Sequence, residues 1–527
     1  MCGSERNVRG RSGVNFLQVL KFSGVLNKPM IMLDMGTRWS PDLLRYILRN
    51  ELPDADLIVV SNREPYMHER TEEGVTLVAP PSGVVAALEP VVRACSGTWI
   101  AHGSGSADRE TADEEGRLQV PPDDPSYTLK RVWLSDEEVR GYYSGFSNEG
   151  LWPLCHLAFI RPVFRAADWE CYQAVNRRFA DVVVAECKTE RPLVLIQDYH
   201  FALLPRMIRE RLPDAVILTF WHIPWPNAEL FGVCPWREQI LDGLLGSSIL
   251  GFHIQLYCNN FLESTDRFIE TRIDKEESAV IQGGNATVVR PYPISIEWPE
   301  GGGVAACHEA RQRVRERLGL APETRLAIGA ERLDYTKGIL QRFYGMEAFF
   351  AKHPDWVGRL TFLEIAAPSR SNIRAYRQLR RDCQELADDI NERFGHEGYQ
   401  PIILIVEQHD QKELHDLYRA ADLFVVSSLH DGMNLVAKEF VASRDDEDGV
   451  LILSQFAGAS RELGDALIVN PFDADAMGDA FYAGLTMAEQ ERRDRMREMR
   501  EAVRYNNVFR WAGTMLVDAT KLKKRND

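Results

Sequence analysis

Short apolar runs alternate with segments of helical periodicity along most of the chain. In the first half, apolar runs occupy residues 57–60, 193–197 and 216–221, and helical patterns occupy residues 202–211 and 238–245. Short apolar runs bounded by polar turns are typical of buried strands. Strands that alternate with helices predict βαβ units and a parallel sheet, and therefore an α/β fold.

A second alternating series follows residues 299–303, which read PEGGG and are the best candidate for an interdomain linker. Its apolar runs lie at residues 326–330, 360–366, 402–406, 423–427, 450–454 and 466–470. A charged amphipathic helix is predicted over residues 488–511. We therefore predict an N-terminal extension over 1–54 with a short helix at 41–51, Rossmann-like domains over 55–300 and 301–486, and a C-terminal helix over 487–527 that crosses back to the first domain.

Composition excludes several classes of protein. The chain has 527 residues, of which 45% are hydrophobic and 27% are charged, as in a soluble globular protein with more than one core. A net charge of −16 argues against general affinity for nucleic acid or for an anionic membrane. No apolar run approaches the roughly 18 residues that a membrane span needs.

The nine cysteines include no C-x-x-C pair, so the sequence predicts neither a disulfide framework nor a zinc site. An apolar patch follows the arginines near the N-terminus, but Lys21 ends it and no convincing cleavage site follows, so we predict no signal peptide. These features predict a cytoplasmic protein. They leave the oligomeric state open, with a homo-oligomer as one alternative.

The most informative segment, residues 428–439, reads SLHDGMNLVAKE and follows the apolar run at 423–427. A strand followed by a helix start predicts a loop whose free backbone amides bind phosphate, because the first amides of a helix have no partner inside it. The amides of Gly432, Met433, Asn434 and Leu435 are the candidate donors to phosphate. An ordinary capped helix is the alternative.

A second cationic segment, residues 330–338, reads AERLDYTKG and also follows a predicted strand. Arg332 and Lys337 lie close enough in sequence to reach one anionic group. Two cations at a diphosphate leaving group stabilise the charge that develops as a glycosidic bond breaks. A surface salt-bridge pair is the alternative.

In the first half, QDYH and WHIPWP both follow apolar strands and place Asp198 and His222 at adjacent strand ends. Trp221 and Trp225 lie close by in sequence, and aromatic faces cover the apolar side of a pyranose, so we predict a sugar site. YYSGFSNEGLWP adds further aromatic residues of this kind. The alternative is that these histidine and aromatic side chains are structural.

Two arginines that follow strands, Arg63 of SNR and Arg370 of APSR, are candidates for a phosphate site on the acceptor side, with ordinary surface arginines as the alternative. Gly83 of PSGVV permits a close approach of a loop backbone to the reaction centre. No carboxylate cluster has the spacing of a metal site, so we expect no metal and no other cofactor.

The ordered motifs SNR, YYSGFSNEGLWP, QDYH, HIPWP, ERLDYTKG, APSR, HDGMNLVAKE and LSQFAGAS resemble the trehalose-6-phosphate synthase family over residues 57–472. The resemblance implies a GT-B fold, in which two Rossmann-like domains face each other across a cleft. The family comprises retaining enzymes, glycosyltransferase family 20, that move glucose from a nucleoside-diphosphate glucose, usually UDP-glucose, to glucose 6-phosphate. The resemblance also implies that the first domain holds the acceptor and that the second domain holds the donor.

Site roles follow from the matched motifs. On the donor side, the resemblance implies binding by Gly83, Arg332, Lys337, Asp431, Gly432, Met433, Asn434, Leu435, Val436 and Glu439. On the acceptor side, it implies binding by Arg63, Tyr143, Trp152, Asp198 and Arg370. The residues nearest the chemistry are His222, Arg332, Lys337 and Asp431.

The chain departs from the family pattern after its first helix. Where the family tends to read W-x-G-W-S-G, residues 99–105 read WIAHGSG, so that His102 replaces a tryptophan near the acceptor. Three alternatives therefore remain open: trehalose 6-phosphate synthesis, transfer to another acceptor such as glycerol 3-phosphate or a cyclitol phosphate, and a non-catalytic sugar-phosphate sensor. The sequence also leaves the donor nucleoside open among UDP, GDP and ADP.

Overall fold

Two β-sheets organise the part of the chain that the computed structural model describes, which is residues 38–52, 56–78, 83–299, 302–321 and 323–526. Residues 1–37 of the predicted extension and residues 300 and 301 of the predicted linker lie outside it. The predicted helix at the end of the extension is confirmed as α1, Pro41–Glu51, which Ser40 caps at its N-terminus. Its buried residues include Leu44 and Ile47.

The first sheet has ten strands and lies in the first half of the chain. A separate hairpin, β2 and β3, joins β1 to the next helix. The strands of this half are β1 Leu57–Arg63, β2 Met67–Thr71, β3 Gly74–Val78, β4 Thr98–His102, β5 Arg117–Val120, β6 Tyr127–Val132, β7 Leu193–Gln197, β8 Val216–Phe220, β9 Ile249–Phe252, β10 Arg272–Asp274, β11 Ala279–Gln282 and β12 Asn285–Pro291. Their order in the sheet is β10-β11-β12-β9-β8-β7-β1-β4-β6-β5.

The centre of this sheet, from β12 to β6, is parallel, and β10, β11 and β5 are antiparallel at its edges. Helices separate its parallel strands. The helical elements of this half are α2 Gly83–Cys95, α3 Asp108–Thr111, α4 Asp136–Glu138, a π-helix at Val139–Leu151, α5 Trp152–Cys155, α6 Ala166–Glu186, a 3₁₀ turn at Tyr199–Phe201, α7 Leu204–Arg209, α8 Ala228–Phe231, α9 Arg237–Leu244 and α10 Gln255–Phe268.

The second sheet has six parallel strands in the order β15-β14-β13-β16-β17-β18. Its strands are β13 Arg325–Arg332, β14 Leu360–Ala367, β15 Ile402–Ile405, β16 Leu423–Val426, β17 Val450–Ser454 and β18 Leu467–Val469. All six match predicted apolar runs. Its helices are α11 Gly303–Leu318, α12 Ile339–Lys352, α13 Arg374–Phe394, α14 Gln411–Ala420, α15 Leu435–Ser443 and α16 Ala474–Thr486, with 3₁₀ turns at Tyr335–Lys337, Pro354–Trp356 and Gly458–Arg461.

Burial of both sheet faces explains why the central strands are continuous apolar runs. Every residue of β7 and of β17 is buried, because helices cover both faces of a parallel sheet. Each sheet carries its own hydrophobic cluster. Trp221 and Trp225 are fully buried in the first cluster, and the indole N–H of Trp225 donates to Ser264 Oγ at 3.0 Å. Their predicted role in covering a sugar is therefore wrong, because both rings fill the core.

The end of the chain returns to the first sheet. It consists of α17, Glu489–Tyr505, and α18, Val508–Asn526, so that the single helix predicted over residues 488–511 is wrong. The break is stabilised by Asn507 Oδ1, which accepts from the Arg510 amide at 3.0 Å, and by the Val508 amide, which donates to Ile296 O at 2.9 Å. Along α18, Asp518 forms an ion pair with Arg290 at 2.9 Å.

Among the described residues, no helix combines the length and the apolar character that crossing a bilayer requires.

Candidate active site

The carboxyl ends of the two parallel sheets approach each other, and the candidate residues lie there. His222 follows β8 in the first sheet, and Gly432 follows β16 in the second. A Cβ built on Gly432 would overlap the backbone carbonyl oxygen of His222 and would lie 2.7 Å from His253 Cδ2. Tyr257 in α10 also donates to the carbonyl of Asp431 at 3.3 Å. Two loops distant in sequence therefore form one site at the strand ends, as expected for open α/β sheets.

The predicted strand-to-helix loop is confirmed between β16 and α15. Asn434 is the N-cap residue of α15: its side-chain oxygen accepts from the Ala437 amide at 3.0 Å, and its φ is +78°. Its side-chain nitrogen lies 3.3 Å from Asp431 Oδ2. The amides of Leu435 and Val436 precede the first bonds within the helix, so they remain at the positive end of its dipole. The helix is thus capped, and it also presents amides of the kind that bind phosphate.

Lys337 and Asp431 form an ion pair between two neighbouring strand ends of the second sheet. Burial favours the protonated form of Asp431, but the Lys337 ammonium outweighs this effect and holds the pKa of Asp431 well below its usual range. Burial likewise opposes the charge on Lys337, whose pKa is nevertheless raised by Asp431 and Glu331. Both side chains are therefore ionised at neutral pH.

Arg332 ends β13 next to this ion pair. Its guanidinium carbon lies 5.6 Å from the centre of the Trp152 ring, which belongs to the first half of the chain. In the described part of the chain, no carboxylate forms an ion pair with Arg332. Arg332 therefore retains a positive charge that is available to an anionic ligand.

Gly83, Met433 and Glu439 complete the predicted donor side. Gly83 begins α2, and a Cβ built on it would lie 3.4 Å from Leu435 Cδ1, so it faces the first turn of α15. Met433 is buried in that loop. Glu439, one turn along α15, accepts from the Tyr418 hydroxyl at 3.0 Å, and burial raises its pKa.

A second cationic centre surrounds Arg370, which follows β14. Its guanidinium carbon lies 3.9 Å from the centre of the Trp152 ring, and Nη2 is 3.4 Å from the Tyr199 hydroxyl. Nη1 donates to Asp334 Oδ2 at 3.2 Å and to the Tyr376 hydroxyl at 2.5 Å. Arg370 thus contacts residues from both halves of the chain, with only 6% of its side chain exposed.

Arg63 and Tyr143 lie at the outer side of this centre. The Arg63 guanidinium donates to the Tyr143 hydroxyl at 3.2 Å, and the Tyr143 ring stacks on His200 at a centroid distance of 5.6 Å. Burial disfavours the phenolate, but the charges of Arg63, Arg370 and nearby arginine side chains lower the pKa of Tyr143 to about 8. Such a phenol is a strong hydrogen-bond donor.

Asp198 and His222 meet at the ends of the paired strands β7 and β8. The backbone amides of His222 and Tyr199 donate to Asp198 Oδ1 at 3.2 and 2.9 Å. Burial raises the pKa of Asp198 to about 7. His222 Nε2 lies 2.7 Å from Gln197 Oε1, and burial lowers its pKa well below the usual value, so the imidazole is neutral at pH 7.

His102 ends β4 and is paired in register with Arg63. Burial lowers the pKa of His102 to about 4. Within the described ranges, its imidazole makes no hydrogen bond to the other five predicted acceptor residues. The structure therefore places His102 at the acceptor edge of the sheet but outside the hydrogen-bonded group.

Several residues of the site were not singled out in the sequence. The most important are Asp334 and Tyr376, which contact Arg370, together with Tyr199, His200 and Gln197, which lie around Asp198 and Tyr143. Asp334 stands inside the quoted motif ERLDYTKG, so the motif contained the signal. Tyr376 lies in α13 outside any motif, and only the packing of α13 brings it to Arg370.

Two positively charged centres therefore lie close together, because Arg332 of one and Arg370 of the other are both near the Trp152 ring. One consists of Arg332 and Lys337, at the end of β13 and in the turn after it, where Lys337 pairs with Asp431. The other consists of Arg63 and Arg370. Each can hold a phosphate group through charge-assisted hydrogen bonds. No group of three or more potential metal ligands occurs among the described residues. The arrangement suits a ligand pair in which one molecule carries a diphosphate and the other a phosphate.

Known proteins resemble this chain over nearly all of its described length. The model of glycosyltransferase family 20 matches residues 55–521. A trehalose-6-phosphate synthase from Mycolicibacterium vanbaalenii is 38% identical over 471 residues, which cover 88% of this chain and 95% of that protein.

Solved structures share the fold as well. An E. coli structure bound with UDP-2-fluoro glucose superposes with a TM-score of 0.77 at 30% identity and covers 88% of this chain and 99% of its own. An α,α-trehalose-phosphate synthase (UDP-forming) from Burkholderia xenovorans in complex with glucose-6-phosphate gives a TM-score of 0.77 at 29% identity, with the same coverage. The predicted GT-B fold is thus confirmed, and the chain belongs to glycosyltransferase family 20 and is a glycosyltransferase.

Proposed function

We propose that this chain transfers glucose from UDP-glucose to glucose 6-phosphate, with retention, and so forms α,α-trehalose 6-phosphate. The observation that carries the proposal is the pair of cationic centres that share the Trp152 ring, with Arg332 at 5.6 Å and Arg370 at 3.9 Å. A nucleoside-diphosphate sugar and a sugar phosphate together carry the two anionic groups that these centres require. The ligands named for the E. coli and Burkholderia xenovorans structures, UDP-2-fluoro glucose and glucose-6-phosphate, support this choice.

In this proposal the second domain binds the donor. Arg332 and Lys337 neutralise the diphosphate, together with the backbone amides of residues 432–436 at the start of α15. Asp431 accepts from a hydroxyl of the transferred glucose, and Glu439 accepts from the ribose. Gly83 lets the first turn of α2 lie over the donor without a side chain in the way.

The first domain binds the acceptor. Arg63 of this domain and Arg370, which follows β14 of the second sheet, hold its phosphate, and the Tyr143 phenol adds a hydrogen bond. The Trp152 ring, already stacked under Arg370, offers its edge to the sugar. Asp198, at the end of β7, accepts from a sugar hydroxyl.

The chemistry follows from position and charge. Asp431 is ion-paired with Lys337, which makes it a poor nucleophile, so we propose attack of the acceptor hydroxyl on the face that the diphosphate leaves. An oxygen of the departing diphosphate takes the hydroxyl proton. Neutral His222 hydrogen-bonds the donor sugar near the transferred carbon. We propose that the protein needs no cofactor, because its own cations neutralise the leaving group.

The second candidate function is transfer to another phosphorylated acceptor, such as glycerol 3-phosphate or a cyclitol phosphate. The observation that favours it is His102, which is neutral at the acceptor edge of the sheet where the family tends to have tryptophan. A non-catalytic sensor is less well supported, since a sensor has no need for the charged residues of the leaving-group side. A cytoplasmic location also stays part of the proposal, based on the cysteine pattern.

The test is to incubate the purified protein with UDP-, GDP- or ADP-glucose, each with glucose 6-phosphate or with glycerol 3-phosphate. Nucleoside diphosphate release and the mass and linkage of the product are measured. Phosphorylated trehalose formed from UDP-glucose and glucose 6-phosphate supports the proposal. Turnover only with glycerol 3-phosphate supports the second candidate, and no release with any pair supports a sensor.

A further inference from the structure

Arg370 is held from one side by two buried residues, Asp334 and Tyr376. The Asp334 side chain is 0% exposed, and Tyr376 is buried in α13. The Tyr376 hydroxyl donates to Asp334 Oδ2 at 3.1 Å and accepts from Arg370 Nη1 at 2.5 Å. Since Asp334 Oδ2 also accepts from Arg370 Nη1 at 3.2 Å, the three groups form a closed triangle of hydrogen bonds.

Asp334 is itself fixed by the turn that follows β13. Its other oxygen, Oδ1, accepts from the amide of Thr336 at 3.1 Å and from the hydroxyl of Thr336 at 3.0 Å. Burial favours the protonated form of Asp334, but Arg370 and Arg332 outweigh it and lower its pKa. The carboxylate is therefore charged, and since Thr336 engages Oδ1, Oδ2 is the oxygen that accepts from Arg370.

The triangle occupies only one part of the Arg370 guanidinium. Nε is buried and has no hydrogen-bond partner among the described residues, and Nη2 has only the long contact to Tyr199. In a planar guanidinium, Nε and Nη2 lie on the same edge, and they form the fork that binds two oxygens of a phosphate. The Trp152 ring 3.9 Å from the guanidinium carbon holds the plane of this fork.

The backbone of Arg370 supports the same interpretation. Its φ is +44°, in the left-handed region that a long side chain seldom occupies. Such a conformation is strained and persists where the surroundings impose it. The contacts with Asp334, Tyr376 and Trp152 are the surroundings that keep this arginine in place.

We propose that Asp334 and Tyr376 are positioning residues that turn the Nε and Nη2 edge of Arg370 toward the acceptor phosphate. They thereby determine the preference of the enzyme for a phosphorylated over an unphosphorylated acceptor, an inference that rests on the proposed function. Neither residue touches the substrate. Without the triangle, Arg370 keeps its charge but loses the fixed direction of its fork.

The test compares Tyr376→Phe and Asp334→Asn with the wild-type enzyme, each with UDP-glucose and with glucose 6-phosphate or glucose as acceptor. The control is Tyr482→Phe, which removes a hydroxyl from a half-exposed tyrosine that stacks on His353. Tyr376→Phe retains the ring and its packing at 5.0 Å from Tyr335, so it tests orientation even where Asp334→Asn fails to fold. The readouts are kcat and KM for each acceptor.

We expect Tyr376→Phe to raise the KM for glucose 6-phosphate about tenfold with a smaller change in kcat, as for a lost hydrogen bond to a charged group. The ratio of kcat/KM for glucose 6-phosphate to kcat/KM for glucose falls by the same factor, and the control leaves this ratio unchanged. An equal loss for both acceptors overturns the proposal, because it indicates a general structural role.

Failure of the proposed function is recognised separately, when the wild-type protein releases no UDP with glucose 6-phosphate. In that case, inorganic phosphate binding is measured by calorimetry on the wild-type protein and on Tyr376→Phe. Weaker binding to the variant supports the role of the triangle in orienting Arg370. Equal binding, or no binding to either protein, overturns it.

Discussion

Gly432 lies directly against the backbone carbonyl of His222, so that the two strand ends touch without an intervening side chain. A methyl group at position 432 would overlap this carbonyl, and a backbone oxygen is not easily displaced. Absence of a side chain at residue 432 is therefore a condition for the approach of the second sheet to the first.

Gly432→Ala is expected to lower kcat/KM for UDP-glucose by about tenfold or more, because overlap of this size typically costs about 1–3 kcal/mol. The matched control is Gly464→Ala, where a Cβ would meet no atom within 4 Å. Steady-state kinetics and Tm are measured for both variants. Unchanged kinetics in Gly432→Ala would show that the loop yields without affecting the site.

Arg332→Ala and Lys337→Ala are each expected to lower kcat by about 10²–10³, because each removes a positive charge from the diphosphate. The fold should remain intact, as measured by circular dichroism and Tm. Lys352→Ala, which removes a lysine from a surface ion pair with Asp479, is the control and should keep normal turnover. Near-normal turnover in both site variants contradicts the assignment of the donor pocket.

Arg370→Ala is expected to raise the KM for glucose 6-phosphate by about 10- to 100-fold, through loss of a bidentate charge-assisted contact. The effect on an unphosphorylated sugar should be much smaller. Arg381→Ala, at an exposed position in α13, is the control. If the KM rises equally for phosphorylated and unphosphorylated acceptors, Arg370 does not bind the phosphate.

The raised pKa of Asp198 predicts that the stability of the protein depends on pH. Burial raises its pKa from the ordinary 3.8 to about 7, so the native state binds more protons than the unfolded state between these values. This contribution to stability is complete below the unfolded pKa and falls as the pH rises to about 7, by at most about 1.4 kcal/mol per pH unit. The Asp198→Asn variant lacks this pH-dependent contribution to stability.

The Tm of Asp198→Asn minus that of the wild-type protein should therefore increase from about pH 4 to about pH 7 and then stay constant. Thermal scans in buffers across this range measure the difference at a fixed protein concentration and scan rate. A difference that does not change with pH would mean that Asp198 is ionised throughout.

Turnover is expected to persist in the presence of a chelator. Arg332 and Lys337 supply the charge that a divalent ion supplies in other transferases, so dialysis against EDTA should leave kcat within about twofold. Activity that is lost after dialysis and is restored only by a divalent cation would contradict the proposed chemistry.

Much of the second domain was predictable because its signals are local. Each of its six strands coincides with an apolar run, since strands buried on both faces must be apolar throughout. The loop between β16 and α15 was recognisable from the same pattern, because Asn434 and the residues after it determine the start of the helix by themselves.

The roles of aromatic residues were not predictable in this way. Trp152 contacts two cations of the site, whereas Trp221 and Trp225 fill the core, although all three stand in aromatic-rich motifs that looked alike. Burial depends on which elements pack over a residue, and the pattern of neighbouring residues does not contain that information.

By itself, the sequence determined the two alternating α/β series, the strand-end positions of the charged residues and the resemblance to glycosyltransferase family 20. Tertiary structure decided which of these residues meet. Arg370 contacts Trp152 and Tyr199 from the other half of the chain, and Tyr376 reaches it through the packing of α13. The physical reason is that periodicity and caps act over a few residues, whereas a site built from two sheets depends on how their buried faces and loops pack together.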